Sequence, residues 1–95
     1  MSKVIDAAVV ALSAKMPDGF DGLAKFVIPS EGAIMMDASG VRAGDDPADV
    51  TMTASTEVFQ AILAGEMNPT MAFMSGKLAV DGSMGLAMQL GAALA

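Results

Sequence analysis

Apolar residues recur every three or four positions near the start of the chain. Val4, Ile5, Ala8, Val9 and Leu12 would share one side of an α-helix. Ser2 stands at the N-cap position. Pro17 and the turn-rich run MPDGFDG close the segment, so a helix is predicted over 3–15. The pattern then shortens. Leu23 to Ile28, Ala33 to Asp37 and Val41 to Gly44 are predicted strands. Pro29-Ser30-Glu31-Gly32 and Ala38-Ser39-Gly40 are hairpin-sized connections, so the three form an antiparallel meander. Further on, Val50, Met52 and Ala54 alternate with Asp49, Thr51 and Thr53, a strand with one buried and one wet face.

The second half returns to helical spacing. Ser55 caps a helix carrying Val58, Phe59, Ile62 and Leu63, and Gly65 supplies its C-terminal stop. Pro69 opens a shorter helix that reaches Ser75. Lys77 to Asp81 is a fifth strand with Leu78 and Val80 inward. Ser83 caps a last helix, Met84 to Leu94. Helices and strands in this order define an α+β layout with the helices on one side of the sheet.

The last helix carries no charge. At 100° per residue, Leu86, Leu90, Ala93 and Leu94 form one side, and Met84, Met88 and Gly91 a nearly opposite one. Gln89 is its polar contact. A helix apolar nearly all round needs cover on more than one face. The leucine side can pack on the sheet. The methionine side requires more of the same chain, a second chain, or an apolar ligand. Met67, Met71 and Met74 lie just upstream. If the two segments face each other, they wall a pocket with unbranched thioether chains, which adapt to ligands of varied shape. An empty pocket of ~300 Å³, at about 24 cal/mol per Å³, costs roughly 7 kcal/mol against a total stability of about 5–14 kcal/mol. Such a pocket is expected to be filled, or partly collapsed when empty.

Composition removes most other chemistry. The chain has 95 residues, read as a single domain over 1–95, with 5 Lys+Arg, 11 Asp+Glu and a net charge of −6. It has no Cys, His, Trp or Tyr. Disulfides, thiol nucleophiles, zinc–thiolate sites and Ser-His catalysis are therefore excluded. An acidic chain whose sole arginine is Arg42 is a poor partner for nucleic acid. The longest uncharged stretch, Gly82 to Ala95, is shorter than the roughly 18–20 apolar residues of a membrane span. MSKVIDAAVVALSAK makes a poor signal peptide, since Asp6 interrupts it. The missing Cys fits a cytoplasmic location.

Other clusters read as ordinary surface. Asp45-Asp46-Pro47-Ala48-Asp49 lacks the ligand spacing of a calcium loop and reads as a solvated turn. Asp18-Gly19-Phe20-Asp21-Gly22 reads the same way. Ser55 and Ser83 have no His to activate them and are helix caps. No metal, cofactor or catalytic residue is expected.

The run GEMNPTMAFMSGKLAVDGSMGLAMQL, Gly65 to Leu90, resembles the sterol carrier protein type-two family of lipid-binding domains. Gly65, Asn68-Pro69, Ala72-Phe73, Gly76-Lys77-Leu78, Val80, Gly82 and Met84 to Met88 carry the resemblance. The preceding DVTMTASTEVFQAILAG extends it back to Asp49. The resemblance implies a mixed five-stranded sheet: a three-stranded meander, a crossover and two further strands, covered by helices. It implies an apolar tunnel between sheet and helices, partly walled by the final helix. It also implies non-catalytic binding of a fatty acid, fatty acyl chain, sterol or isoprenoid-like lipid.

The expected lipid-contacting residues are Phe26, Leu63, Met67, Met71, Phe73, Met74, Met84, Met88 and Gln89. Of these, Phe73 is read as core or as cavity wall. The chain departs from the pattern in its acidity and in Gln89, where the family often has Lys. These departures weaken sterol transfer between membranes and any strong preference for acyl-CoA, and the charge disfavours a polyanionic head group unless Lys25, Arg42 or Lys77 supplies local compensation. The expected partner is a long-chain lipid. The alternative is a dimerisation or accessory module of a lipid- or quinone-pathway enzyme, with a homodimer or that enzyme as partner.

Overall fold

The helix–strand order foreseen from the sequence is the order found in the computed structural model, which describes residues 3–94. Nine elements follow one another: α1 (Lys3–Lys15), β1 (Ala24–Ile28), β2 (Gly32–Asp37), β3 (Gly40–Ala43), β4 (Val50–Ala54), α2 (Thr56–Leu63), α3 (Pro69–Met74), β5 (Leu78–Gly82) and α4 (Met84–Leu94). Strand bounds shift from the expectation by one residue. The proposed cap at Ser2 lies outside the described residues. Among the described residues, no helix is long and apolar enough to cross a membrane.

The five strands form one sheet in the order β3-β2-β1-β4-β5. All neighbours are antiparallel except β1 and β4, which are parallel, so the sheet is mixed. Register puts Phe26 opposite Ile34 on one side and Met52 on the other. Met52 in turn pairs with Val80. Because side chains alternate along strands, these residues share one face, and the helices cover it. Ile5, Ala8 and Leu12 of α1, Phe59 and Ile62 of α2, and Leu90 and Leu94 of α4 join them in a single buried core. The Phe26 and Phe59 rings meet at its centre, 4.5 Å between centroids and tilted by 56°, within the preferred range for aromatic pairs.

Local chemistry sets the helix ends. The Val58 N–H donates to Ser55 Oγ at 3.3 Å, and the Leu86 N–H to Ser83 Oγ at 3.2 Å. Both satisfy donors that a helix start leaves open. Gly65 ends α2 with φ +77°, a left-handed conformation that favours glycine. Gly82 is more constrained. It has φ +101°, and a Cβ there would collide with the Asp49 carbonyl, which also accepts the Ser83 N–H at 2.9 Å. That close approach joins β5 to α4.

The opposite sheet face departs from simple alternation. Met35 and Met36 are adjacent in β2, yet both are fully buried. The chain leaves β3 at one edge and must cross β2 and β1 to reach β4. Its connection, 44–49, lies over the face away from the helices. Lys25 Nζ donates to Asp45 Oδ1 at 2.8 Å, and the Asp49 N–H reaches the Leu23 carbonyl at 2.9 Å. A Cβ on Gly44 would stand only 3.1 Å from the Met35 side chain. This strap buries Met35 and gives the acidic run a structural place.

Candidate binding groove

Helix α4 buries Ala87, Leu90 and Leu94 and turns Met84 and Met88 outward, 50% and 74% exposed. Helix α3 buries Pro69 and Ala72 and leaves Phe73 and Met74 41% and 75% exposed. The two outward faces border an apolar groove of about 280 Å³. Met52, Leu78 and Val80 form its floor on the sheet. Pro69, Thr70, Phe73 and Met74 line the α3 side, and Met84, Ala87 and Met88 the α4 side. No titratable side chain lines it.

A second depression, about 210 Å³, continues from this one through Pro69, Thr70 and Met88 and adds Asn68, Gly91 and Ala92. Gly91 faces Pro69 there, and a Cβ on it would stand at 3.7 Å, an ordinary van der Waals contact. Asn68 caps α3. Its Oδ1 accepts from the N–H groups of Thr70 at 2.8 Å and Met71 at 3.3 Å.

A separate groove of about 340 Å³ lies between α1 and α2, lined by Val4, Ala7, Ala8, Ala11, Phe59, Gln60, Leu63 and Ala64. Phe59 closes it from within. Met52, the register partner of Phe26, floors the methionine groove. The tilted Phe26–Phe59 pair therefore stands between the two openings.

This arrangement sorts the expected lipid contacts. Phe73, Met74, Met84 and Met88 meet at one groove, and Phe73 is wall rather than core. The other five fall elsewhere. Phe26 is fully buried and packs on Phe59 instead of facing an opening. Leu63 borders the α1–α2 groove. Met67 packs, half-buried, against the core. Met71 is 63% exposed and, like Gln89, points outside the groove because the inner turns of α3 and α4 are taken by Ala72, Ala87 and Leu90. Met52, Thr70 and Val80 were not expected at the site. The first and last were legible as an inward pair on neighbouring strands; Thr70 gave no apolar signal.

The methionines rim a groove open to solvent, and the buried Phe26 and Phe59 rings pack between it and the α1–α2 groove. Among the described residues, no three acidic, His or Cys side chains gather to hold a metal.

The class is thus an α+β domain with one helix-covered sheet face and an uncharged groove at the end of that layer. The family follows from comparison: residues 5–95 match the SCP-2 sterol transfer family, and the chain belongs to it. It is 39% identical over 87 residues to hydroxysteroid dehydrogenase-like protein 2 of Danio rerio, covering 83% of this chain and 21% of that protein. A shorter match, 50% over 46 residues, links it to sterol carrier protein 2 of Homo sapiens, covering 48% of this chain and 8% of that one. The chain thus spans about a fifth or less of these curated relatives.

Among solved structures, a sterol carrier protein domain of Helicoverpa armigera superposes with a TM-score of 0.74 at 28% identity, covering 98% of this chain and 86% of the other. Sterol Carrier Protein-2 of Aedes aegypti, in complex with the C16 fatty acid palmitate, gives 0.77 at 21% identity, covering 100% and 97%. The latter likeness speaks for the fold.

Proposed function

We propose that this domain binds an apolar lipid without catalysing a reaction on it, and that it does so in the groove between α3, α4 and β5, for transport or presentation. One observation carries the reading. Three flexible methionines and Phe73 surround a sheet-floored groove that no titratable side chain lines. The volume, about 280 Å³, lies near the lower end of the ~300–1,000 Å³ of small-molecule sites. The Asn68 depression extends it. Palmitate, the molecule held by the Aedes aegypti protein, is a sensible first ligand. A cytoplasmic location remains the working assignment from a sequence without Cys.

Native mass spectrometry of the purified chain should retain a long-chain lipid, and a fluorescent lipid probe should be displaced by others. Met88→Glu places an ionised group in the apolar wall and should weaken binding about tenfold or more. Its stability should change by no more than ~0.5 kcal/mol, because the side chain is exposed. A wild-type chain that retains no lipid and binds no probe defeats the proposal.

A second reading rests on the relatives' lengths. Matches confined to a fifth or less of hydroxysteroid dehydrogenase-like protein 2 and sterol carrier protein 2 support the alternative of an accessory module of a lipid-pathway enzyme; a dimerisation role rests on the exposed apolar side chains of α3 and α4. Light scattering separates the two: a lipid-binding monomer favours the first, and an obligate dimer without lipid affinity the second.

A further inference from the structure

The chain has ten methionines and no Cys, His, Trp or Tyr, so thioethers are its most readily oxidised side chains. The fold divides these sulfurs into two populations. Met16, Met35, Met36 and Met52 are buried, and Met67 is half-buried against the core. Met71, Met74, Met84 and Met88 are half or more exposed. Met74, Met84 and Met88 rim the groove between α3 and α4, and Met71 lies off it. Met84 and Met88 stand one turn apart on α4 and share a side. The groove between α1 and α2 has no methionine in its lining. The sulfurs that a small oxidant in water reaches first are therefore, with Met71, the ones that wall the proposed site.

The oxidation converts the wall from apolar to polar. A sulfur lone pair attacks one oxygen of hydrogen peroxide. The S–O bond forms as the O–O bond breaks, a proton passes to the departing oxygen, and water leaves. The thioether is oxidised to a sulfoxide and the peroxide is reduced. A sulfoxide oxygen accepts hydrogen bonds, and Thr70 carries the one side-chain hydroxyl in the groove lining. A single hydroxyl donates a single hydrogen bond, so it cannot serve three sulfoxides. With an apolar ligand in place, each remaining sulfoxide must keep its water, which holds the ligand off the wall, or lose that water without a partner, which costs free energy. Methionine sulfoxide reductases return each epimer to the thioether.

We propose that Met74, Met84 and Met88 form a peroxide-sensitive modification site that reversibly releases the ligand of this groove. This rests on the lipid-binding reading and adds a regulation of the same site. The test treats the chain with hydrogen peroxide, locates each sulfoxide by peptide mass spectrometry, and titrates the neutral probe N-phenyl-1-naphthylamine before and after. Met74, Met84 and Met88 should oxidise while Met35, Met36 and Met52 stay intact, and probe affinity should fall about tenfold. Treatment with both classes of methionine sulfoxide reductase should restore it. Met71→Leu should show the same loss on oxidation. In the triple variant Met74→Leu, Met84→Leu, Met88→Leu, whatever its own affinity, peroxide should change probe binding by less than about twofold. Groove sulfoxides with unchanged probe binding overturn the inference and leave lipid binding intact. So does oxidation of the buried methionines ahead of the groove ones, or an equal loss in the triple variant. An untreated chain that binds no probe overturns the lipid-binding reading and this inference with it.

Discussion

The two grooves of the helical layer are close in volume, about 340 Å³ between α1 and α2 and about 280 Å³ between α3 and α4, yet they are made of different material. Alanines at 7, 8, 11 and 64 line the first. An alanine side chain has no rotamer to change, so half of that lining has a fixed shape. The second is rimmed by methionines with three rotatable bonds each. Both neighbouring helices bury a stripe of three residues: Ile5, Ala8 and Leu12 in α1, and Ala87, Leu90 and Leu94 in α4. The difference lies on their outer sides. Helix α1 carries Lys3, Asp6 and Lys15, whereas α4 is uncharged and leaves Met84 and Met88 half or more exposed. The two openings differ in the adaptability and exposure of their walls more than in size, and the proposed site is the one with adaptable walls.

The Phe26–Phe59 pair keeps the two openings apart, so its loss should have the largest effect. Phe59→Ala should cost about 3–5 kcal/mol, measured by urea denaturation. A cost below 1 kcal/mol would show that this interior is looser than described. Next comes the support of α4. Ser83→Ala removes the Leu86 N–H acceptor and should cost about 1 kcal/mol. Lipid binding should weaken with it, since the methionine wall is only as well placed as its helix.

Smaller effects sharpen the contrast. Ala7→Glu puts a charge into the alanine groove at an exposed position. It should shift stability by no more than ~0.5 kcal/mol and leave lipid displacement unchanged. A loss of binding equal to that of Met88→Glu would move the site to α1 and α2.

The smallest expected effect concerns the β2–β3 hairpin, far from either groove. The Arg42 guanidinium, donating to Asp37 at 2.9 Å, and the Ser39 N–H, also at 2.9 Å, hold the Asp37 carboxyl below its usual range. A carboxyl whose folded-state pKa is depressed adds stability above its unfolded pKa, lost as pH falls through the folded value. Asp37→Asn should therefore lower Tm slightly at pH 7, with the gap closing in acid. A gap that is constant with pH would remove the ion pair from the account.

Most elements were legible because each is written in local periodicity. The three- and four-residue spacing of Ile5, Ala8 and Leu12, the alternation of Val50, Met52 and Ala54, and the caps at Ser55 and Ser83 all act within one or two turns of chain. The site was legible only in part. Met84 and Met88 stood out because α4 has more apolar surface than one contact can cover. Met67 and Met71 share that composition but not that position: Met67 lies in the connection between α2 and α3, and the turn of α3 leaves Met71 off the groove. Met35 shows the same limit: its burial depends on a strap from a distant part of the chain.

By itself, the sequence determined the order of helices and strands, their capped ends, the face each buries, and the surplus of apolar surface on the closing helix. The tertiary structure decided that this surplus borders a groove between α3, α4 and the sheet, and that Phe26 and Phe59 pack between two openings. The physical reason is that periodicity groups side chains on a face, while whatever lies opposite that face comes from residues far away in the chain.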